Sequence, residues 1–540
     1  MTDGTTMSPA TATPEGLLDH LLRGTLLTWW AQQQPDRLAI VSELGDRTFA
    51  ELDTRTNQLV RAMRTRGAGP GASVAILCRN RPEWAEVWAA CTRGGYRLTP
   101  VNWHLTGDEA GYIVDDCEAM VLIADARVAP MATEVADRAP GATIRLAVGG
   151  PIDGFDDYEA AVAAEGGTEL DDPSYGSQML YTSGTTGRPK GVTRGPVSAG
   201  TSSATTMASF FDYRPGEDVN LCTGPLYHAA PLAFGLTVPF LNGATIVLMD
   251  GWDPEETLRL IDEHDVTHTH MVPTMFVRML KLPSDVRAQY DVSSLRNVLH
   301  GAAPCPPAVK AALIDWLGPV VYEYYAATEG TGTWVDPQTW LTKPGTVGKV
   351  DPPDHIKVAD DDGNELAHGS VGTIFLKAPD IGRFEYFKDD NKTESVYRGD
   401  YFTLGDVGYV DDDGYLFLTD RSTNLIIFGG SNVYPAEVDN VLLAHPAVLD
   451  VATIGVPDPE WGEVVKAVVE LTPEVAPTPE LAAELIELAR DQLAHYKCPR
   501  TIDFVDQLPR DDNGKIYKRR LRDQYRLAAQ GDATTDTGEG

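Results

Sequence analysis

The sequence predicts an α/β protein: a large N-terminal domain of parallel βαβ units, then a small α+β domain. Three observations carry this. Short apolar segments alternate with amphipathic ones, as where Ser73-Val-Ala-Ile-Leu-Cys78 precedes Arg81-Pro-Glu-Trp-Ala-Glu-Val-Trp88. Alternation of this kind builds parallel sheets with crossover helices. Helix starts are marked by side chains able to accept the unpaired N–H groups of a first turn. Thr106-Gly-Asp-Glu109 has the hydroxyl and carboxylate of a capping box, and Asp253-Pro-Glu-Glu256 offers a cap, a first-turn proline and acidic residues in order. After Arg421 the pattern changes. Leu425-Ile-Ile-Phe428 reads as a strand, Pro435 opens a helix, Val448 to Val456 and Val464 to Leu471 read as strands, and Leu481, Leu485 and Leu488 mark a second helix. The chain has 540 residues, too many for one core, so domains are placed at 21–421 and 422–528. Residues 1–20 and the small, acidic stretch 529–540 are predicted to be disordered tails.

Charge narrows the partners. Lys and Arg number 44 against 79 Asp and Glu, a formal net charge of -35, which argues against a nucleic-acid-binding or anionic-membrane surface. No apolar run reaches the ~20 residues of a membrane span. The first fifteen residues lack the basic start and apolar core of a signal peptide. Six scattered cysteines with no C-x-x-C spacing suggest neither a zinc site nor a disulfide framework, and favour a reducing cytoplasm. The cluster Lys518, Arg519, Arg520 and Arg522 reads as the solvated start of a final helix.

The densest chemistry lies in Tyr181-Thr-Ser-Gly-Thr-Thr-Gly-Arg-Pro-Lys-Gly191. Backbone N–H groups approach an oxyanion closely only where Cβ is absent, so Gly184, Gly187 and Gly191 form a cradle suited to phosphates. Ser183, Thr185 and Thr186 add hydroxyls, while Arg188 and Lys190 bring positive charge that the acidic chain otherwise lacks. The spacing is not that of a Walker loop, which needs Gly-Lys-Ser/Thr after four intervening residues.

This segment, with Thr182 at its start, resembles the phosphate loop of the adenylate-forming superfamily, which includes acyl- and aryl-CoA synthetases. Further motifs follow in the same order: Tyr325-Ala-Ala-Thr-Glu-Gly330, then Gly405-Asp406 with Thr419-Asp-Arg421, then Leu508-Pro-Arg-Asp-Asp-Asn-Gly-Lys515. The resemblance spans roughly residues 25 to 525. It implies a β-barrel-like part within the N-terminal domain and a mobile C-terminal domain. It also implies ATP, Mg2+ and coenzyme A as ligands. Thr328 would contact phosphate, Glu329 would hold magnesium, Asp406 would bind the ribose hydroxyls and Arg421 a phosphate. Lys515 would reach the reacting carboxylate. Gly301, Ala302 and Ala303, with Glu323, Tyr324 and Tyr325, look like the adenine-contacting segments.

By the same resemblance a carboxylic acid is activated as an acyl-adenylate with release of pyrophosphate, and the acyl group then passes to the thiol of coenzyme A. Gly430, in Gly429-Gly-Ser-Asn432, and Lys497 match the loop and tail that meet coenzyme A. Thr423 stands at the hinge where relatives commonly have Asp or Lys, and Ala326 stands where they commonly have Gly. His228, beside Tyr227 and near Phe234, matches a histidine that gates the acid pocket; a buried structural histidine is the alternative. His268 and His270 share a strand face, but with no third ligand nearby they read as pocket or core residues. Small residues at Ala302 and Ala303 leave room for a bulky aryl or alicyclic acid. The alternative to coenzyme A is another acceptor, an amine or carrier protein, or activation of nitrite. Monomer and homodimer both remain open.

Overall fold

The computed structural model describes residues 16–182, 188–194, 211–214, 216–360, 362–380, 382–429, 431–510 and 516–525. The chain gathers into two compact units, one of Met1–His270, Asp285–Val298 and Pro379–Glu394, the other of Met271–Ser284, Leu299–Ala378 and Ser395–Gly540.

The first unit contains two largely parallel sheets. In one, the strands run in the spatial order Asp156–Asp157, Ile144–Val148, Ala119–Asp125, Ser73–Leu77, Arg97–Pro100, Ser177–Gln178, all parallel. Every residue of Ser73–Leu77 is buried, as expected of a strand covered on both faces. The helix Glu83–Gly94 packs Trp84, Val87 and Cys91 into the core and ends where Gly95 turns left-handed, its N–H donating to the Cys91 carbonyl. In the other sheet Val219–Cys222 lies between Thr245–Leu248 and His268–Met271, and Leu38–Val41 extends it, again in parallel. The capping signals are met. Thr106 Oγ1 accepts from Glu109 N at 3.3 Å while Thr106 N donates to Glu109 Oε2 at 2.9 Å. Asp253 Oδ1 accepts from the amides of Glu255 and Glu256 at 3.0 and 2.9 Å. A small antiparallel sheet, Leu180–Thr182, Lys190–Arg194 and Phe384–Tyr386, holds both ends of the predicted phosphate loop. A short helix, Leu17–Leu22, begins inside the stretch assigned to the N-terminal tail.

The second unit is mostly antiparallel. Thr346–Lys349, Tyr415–Arg421, Asp406–Val410, Gly372–Lys377, Tyr401–Phe402 and Tyr397–Arg398 form one sheet in that order, with Ile356–Ala359 paired to Gly372–Lys377. Ser431–Val433, Ile426–Phe428, Gly462–Leu471 and Val448–Asp458 form another, with Thr501–Val505 parallel to Gly462–Leu471. Helices Pro435–Leu443 and Pro479–Gln492 bury Val438, Leu442, Leu481 and Leu485 against this sheet. The fold is thus the predicted combination of parallel α/β sheets and a C-terminal α+β region. Lys518 differs from the sequence reading. It is not solvated but lies against Asp439, Nζ to Oδ2 2.7 Å, with its side chain 14% exposed. Among the described residues no helix is long and apolar enough to cross a membrane, and the six cysteines are all free.

Candidate active site

In the second unit a cavity of about 280 Å³ is lined by Ala302, Ala303, Glu323, Tyr324, Tyr325 and Ala326 on one side and by Asp406 and Arg421 on another. Strand register explains the meeting of the last two, since Asp406 and Arg421 are direct partners across neighbouring antiparallel strands. Asp406 is 8% exposed, and each of its oxygens is engaged. Oδ1 accepts from Arg421 Nε at 2.9 Å and Oδ2 from the Tyr325 hydroxyl at 2.8 Å. Burial, with the Asp406 carboxylate beside it, pushes the Tyr325 hydroxyl well above its ordinary pKa, so it stays a donor. A carboxylate oriented from both sides is a fixed acceptor for hydroxyl groups entering the cavity.

Close backbone approach supports the Tyr324 and Tyr325 rings of this wall from behind. A Cβ on Gly301 would stand 2.5 Å from the Tyr324 ring, and one on Gly332 2.5 Å from the Tyr325 ring. Ala302 holds a left-handed φ of 66°, a strained conformation for a residue with a Cβ. Glu323, on this wall, accepts from the fully buried Lys310 behind it, Nζ to Oε2 2.7 Å, and faces His300 Nε2 at 3.4 Å. Burial raises the Glu323 carboxyl and Lys310 opposes that shift.

Gly301, Thr328, Glu329 and Lys497 are not on the cavity wall. Thr328 and Glu329 make the turn between Val321–Ala327 and Gly330–Val335, and Glu329 is 7% exposed. Lys497 pairs with Glu437, a hydrogen bond that raises its pKa. Thr423 lies in the single turn Ser422–Asn424, and Arg522 Nη1 donates to its carbonyl at 2.6 Å.

In the first unit Thr182 and Lys190 face each other across paired strands. Lys190 forms an ion pair with Asp389, which raises the pKa of its ammonium. His228 lies just before the π-helical turn Pro231–Thr237 that carries Phe234, its ring 4.4 Å from that of Tyr227. His270 stacks on Phe234 at 5.5 Å, and burial lowers its pKa to about 3. His268 stacks on Tyr213 at 3.9 Å and is lowered by burial to about 4. Both rings are neutral core imidazoles, and the described residues contain no group of three or more metal-ligating side chains. Ser183, Gly184, Thr185, Thr186, Gly187, Gly430 and Lys515 lie outside the described residues.

Sequence reasoning missed an aromatic platform. Phe428 and Trp461 stack with centroids 5.0 Å apart and planes within 4°, and Arg500 lies over both rings at 5.3 and 5.8 Å. Trp461 is 36% exposed, so the pair lies at the surface rather than in the core. The pairing of Phe428 with Gly462 brings these residues together, and only an exposed-side tryptophan next to a strand start hinted at it.

Over residues 27–384 the chain matches the AMP-binding enzyme family, and over residues 437–515 the AMP-binding enzyme C-terminal domain. It is 33% identical over 504 residues to the fatty acid–[acyl-carrier-protein] ligase ScoC of Streptomyces coeruleorubidus, covering 92% of this chain and 95% of that one. It is 35% identical over 482 residues to a feruloyl-CoA synthase of an Amycolatopsis species, covering 88% and 94%. The crystal structure of the anthranilate CoA ligase AuaEII with anthranoyl-AMP matches at a TM-score of 0.84 and 26% identity, over 94% of this chain and 98% of that one. With both family domains matched in order and relatives aligned along nearly their whole length, the chain belongs to the AMP-binding enzymes, as an AMP-forming ligase of their acyl- and aryl-CoA synthetase branch.

Proposed function

We propose that the protein joins a carboxylic acid to coenzyme A in two steps. The acid's carboxylate oxygen attacks the α-phosphorus of ATP and pyrophosphate departs; the thiol of coenzyme A then attacks the acyl carbon and AMP departs. The observation that carries the nucleotide half is Asp406, buried at the cavity and oriented by Tyr325 and Arg421. It suits ribose hydroxyls, with Arg421 for phosphate and the small Ala302 and Ala303 beside Tyr324 for a flat base. Mg2+ suits Glu329, a hard oxygen ligand that would share the ion with the phosphates and neutralise charge there. In this reading Thr182, Ser183, Gly184, Thr185, Thr186, Gly187 and Lys190 hold phosphate, Thr328 assists, and Lys515 orients the reacting oxygens.

The acceptor reading draws on the Phe428–Trp461 platform beneath Arg500. Stacked rings under a guanidinium match a purine carrying phosphates, which is the distal end of coenzyme A. In this reading Gly430 and Lys497 also serve the coenzyme A step, and the residue 422–528 domain turns about Thr423 between the two steps. The acid is assigned as bulky, aryl or alicyclic, and His228 as the residue at its gate; the feruloyl and anthranilate ligases among the relatives act on aryl acids by their names. The compartment is assigned as the cytoplasm. Transfer to a carrier protein is the second reading, drawn from ScoC. The test is a panel of acids scored by pyrophosphate release with and without coenzyme A, followed by mass analysis of the product. Thioester and AMP are expected for an aryl acid; acyl transfer that occurs only with a carrier protein would replace the coenzyme A reading.

A further inference from the structure

Lys190 begins the strand Lys190–Arg194 at the base of the phosphate-binding loop, and its ammonium is paired with Asp389, a residue 199 positions away. The two side chains are 35% and 25% exposed, so the pair is open to an entering ligand. Asp389 is the fixed member. Its Oδ1 accepts from Lys392 N at 3.0 Å, and its carbonyl accepts from Thr393 N and Oγ1, each at 3.0 Å. The turn is pinned further by Phe387 N donating to the Gly191 carbonyl at 2.7 Å. Oδ2 is left to Lys190. The lysine, by contrast, has a four-carbon stem and can exchange one anionic partner for another. Of the other cations nearby, Arg188 lies over the Tyr112 ring at 4.8 Å, Lys388 donates to the Asp116 carbonyl at 2.8 Å, and Lys392 adds its own electrostatic attraction to the Asp389 carboxylate.

One ammonium cannot fully neutralise both a carboxylate and a polyphosphate oxygen. We propose that Asp389 is a positioning residue that acts through Lys190: it competes with the pyrophosphate leaving group for the ammonium and so promotes release of that product. This rests on the AMP-forming reading given above. When pyrophosphate forms, return of Lys190 to Asp389 removes one of its cationic contacts without any movement of the backbone. Asp389 itself touches neither substrate nor product.

The test is Asp389→Asn, because Asp389 caps the helix Asp390–Val396 by accepting from Lys392 N, and asparagine caps as well as aspartate does, so only the charge is lost. Inorganic pyrophosphate with magnesium is the probe, measured as a product inhibitor against ATP and by direct calorimetric binding to the full-length protein. An exposed ion pair of this kind supports about a fivefold effect, so pyrophosphate is expected to bind about fivefold more tightly to the variant, with KM for the acid unchanged. Asp389→Glu, which keeps the competing carboxylate, is expected to restore the wild-type inhibition constant. In a Lys190→Met background the Asp389→Asn effect is expected to fall below about twofold, since no ammonium remains to exchange. Unchanged or weaker pyrophosphate binding to Asp389→Asn overturns the proposal while leaving the AMP-forming reading intact. Pyrophosphate that neither binds nor inhibits the wild type overturns both.

Discussion

Lys310→Met is the perturbation whose size follows most directly from the structure. Lys310 is fully buried on the helix Pro307–Leu317, its ammonium 2.7 Å from Glu323 Oε2 and 4.9 Å from the centre of the Trp340 ring. Methionine fills nearly the same volume, so the main loss is charge. Removing one partner of a buried pair leaves the other uncompensated, which costs about 3–5 kcal/mol. Removing both is far milder, so Lys310→Met with Glu323→Gln should recover most of the loss. Urea unfolding followed by tryptophan fluorescence, run on all four proteins, gives the coupling directly. The pH dependence has a definite sign. Burial holds the Glu323 carboxyl above its ordinary value of 4.5, so the folded state binds more protons than the unfolded one. Its contribution therefore weakens stability as pH rises from 4.5 through the folded pKa. Without Lys310 the folded pKa rises further, and the decline with pH becomes steeper and longer; the double variant lacks it. A loss of only about 0.5 kcal/mol, the size of an ordinary surface change, would refute the buried-pair reasoning, as would a pH slope no steeper than wild type.

The remaining expectations separate the two half-reactions. Lys515→Ala should greatly slow adenylate formation while thioester formation from supplied acyl-adenylate largely survives; equal loss of both, measured in separate assays, would contradict the two-step division of labour. Glu329→Gln should lower turnover about a hundredfold and weaken magnesium dependence, the scale of one electrostatic contact in a transition state, checked by rate against magnesium concentration. Trp461→Ala should raise KM for coenzyme A about tenfold or more by removing a stacking face, with pyrophosphate release in the first step unchanged.

Local chemistry made much of this protein legible in its sequence. The apolar run Ser73–Leu77 and the caps at Thr106 and Asp253 depend on neighbours within a few positions, and each stands where the pattern placed it. Pairings set by sheet register did not show. Asp389 reaches Lys190 only because Phe384–Tyr386 lies against Lys190–Arg194, and Trp461, in the turn before Gly462–Leu471, reaches Phe428 only because that strand pairs with Ile426–Phe428. Lys518 sits among cations in the sequence, which suggested solvation; Asp439, far away in the chain, overrides that. The Glu323–Lys310 pair was hidden for another reason. A lysine at the start of an amphipathic helix ordinarily points to water, and nothing local distinguishes one that is fully buried. At the site, motifs identified Asp406, Arg421 and Tyr325 as separate positions, whereas the structure supplies the hydrogen bonds that make them one unit.

Isotope exchange between labelled pyrophosphate and ATP tests the central claim most directly, because it reports reversal of the first step and needs no thiol. With magnesium and an acceptable aryl acid, label is expected to enter ATP in a strictly acid-dependent manner, and Asp406→Ala should suppress it. Formation of ADP and phosphate without acid-dependent exchange would contradict an AMP-forming mechanism and, with it, the assignment of the Asp406 cavity to the nucleotide.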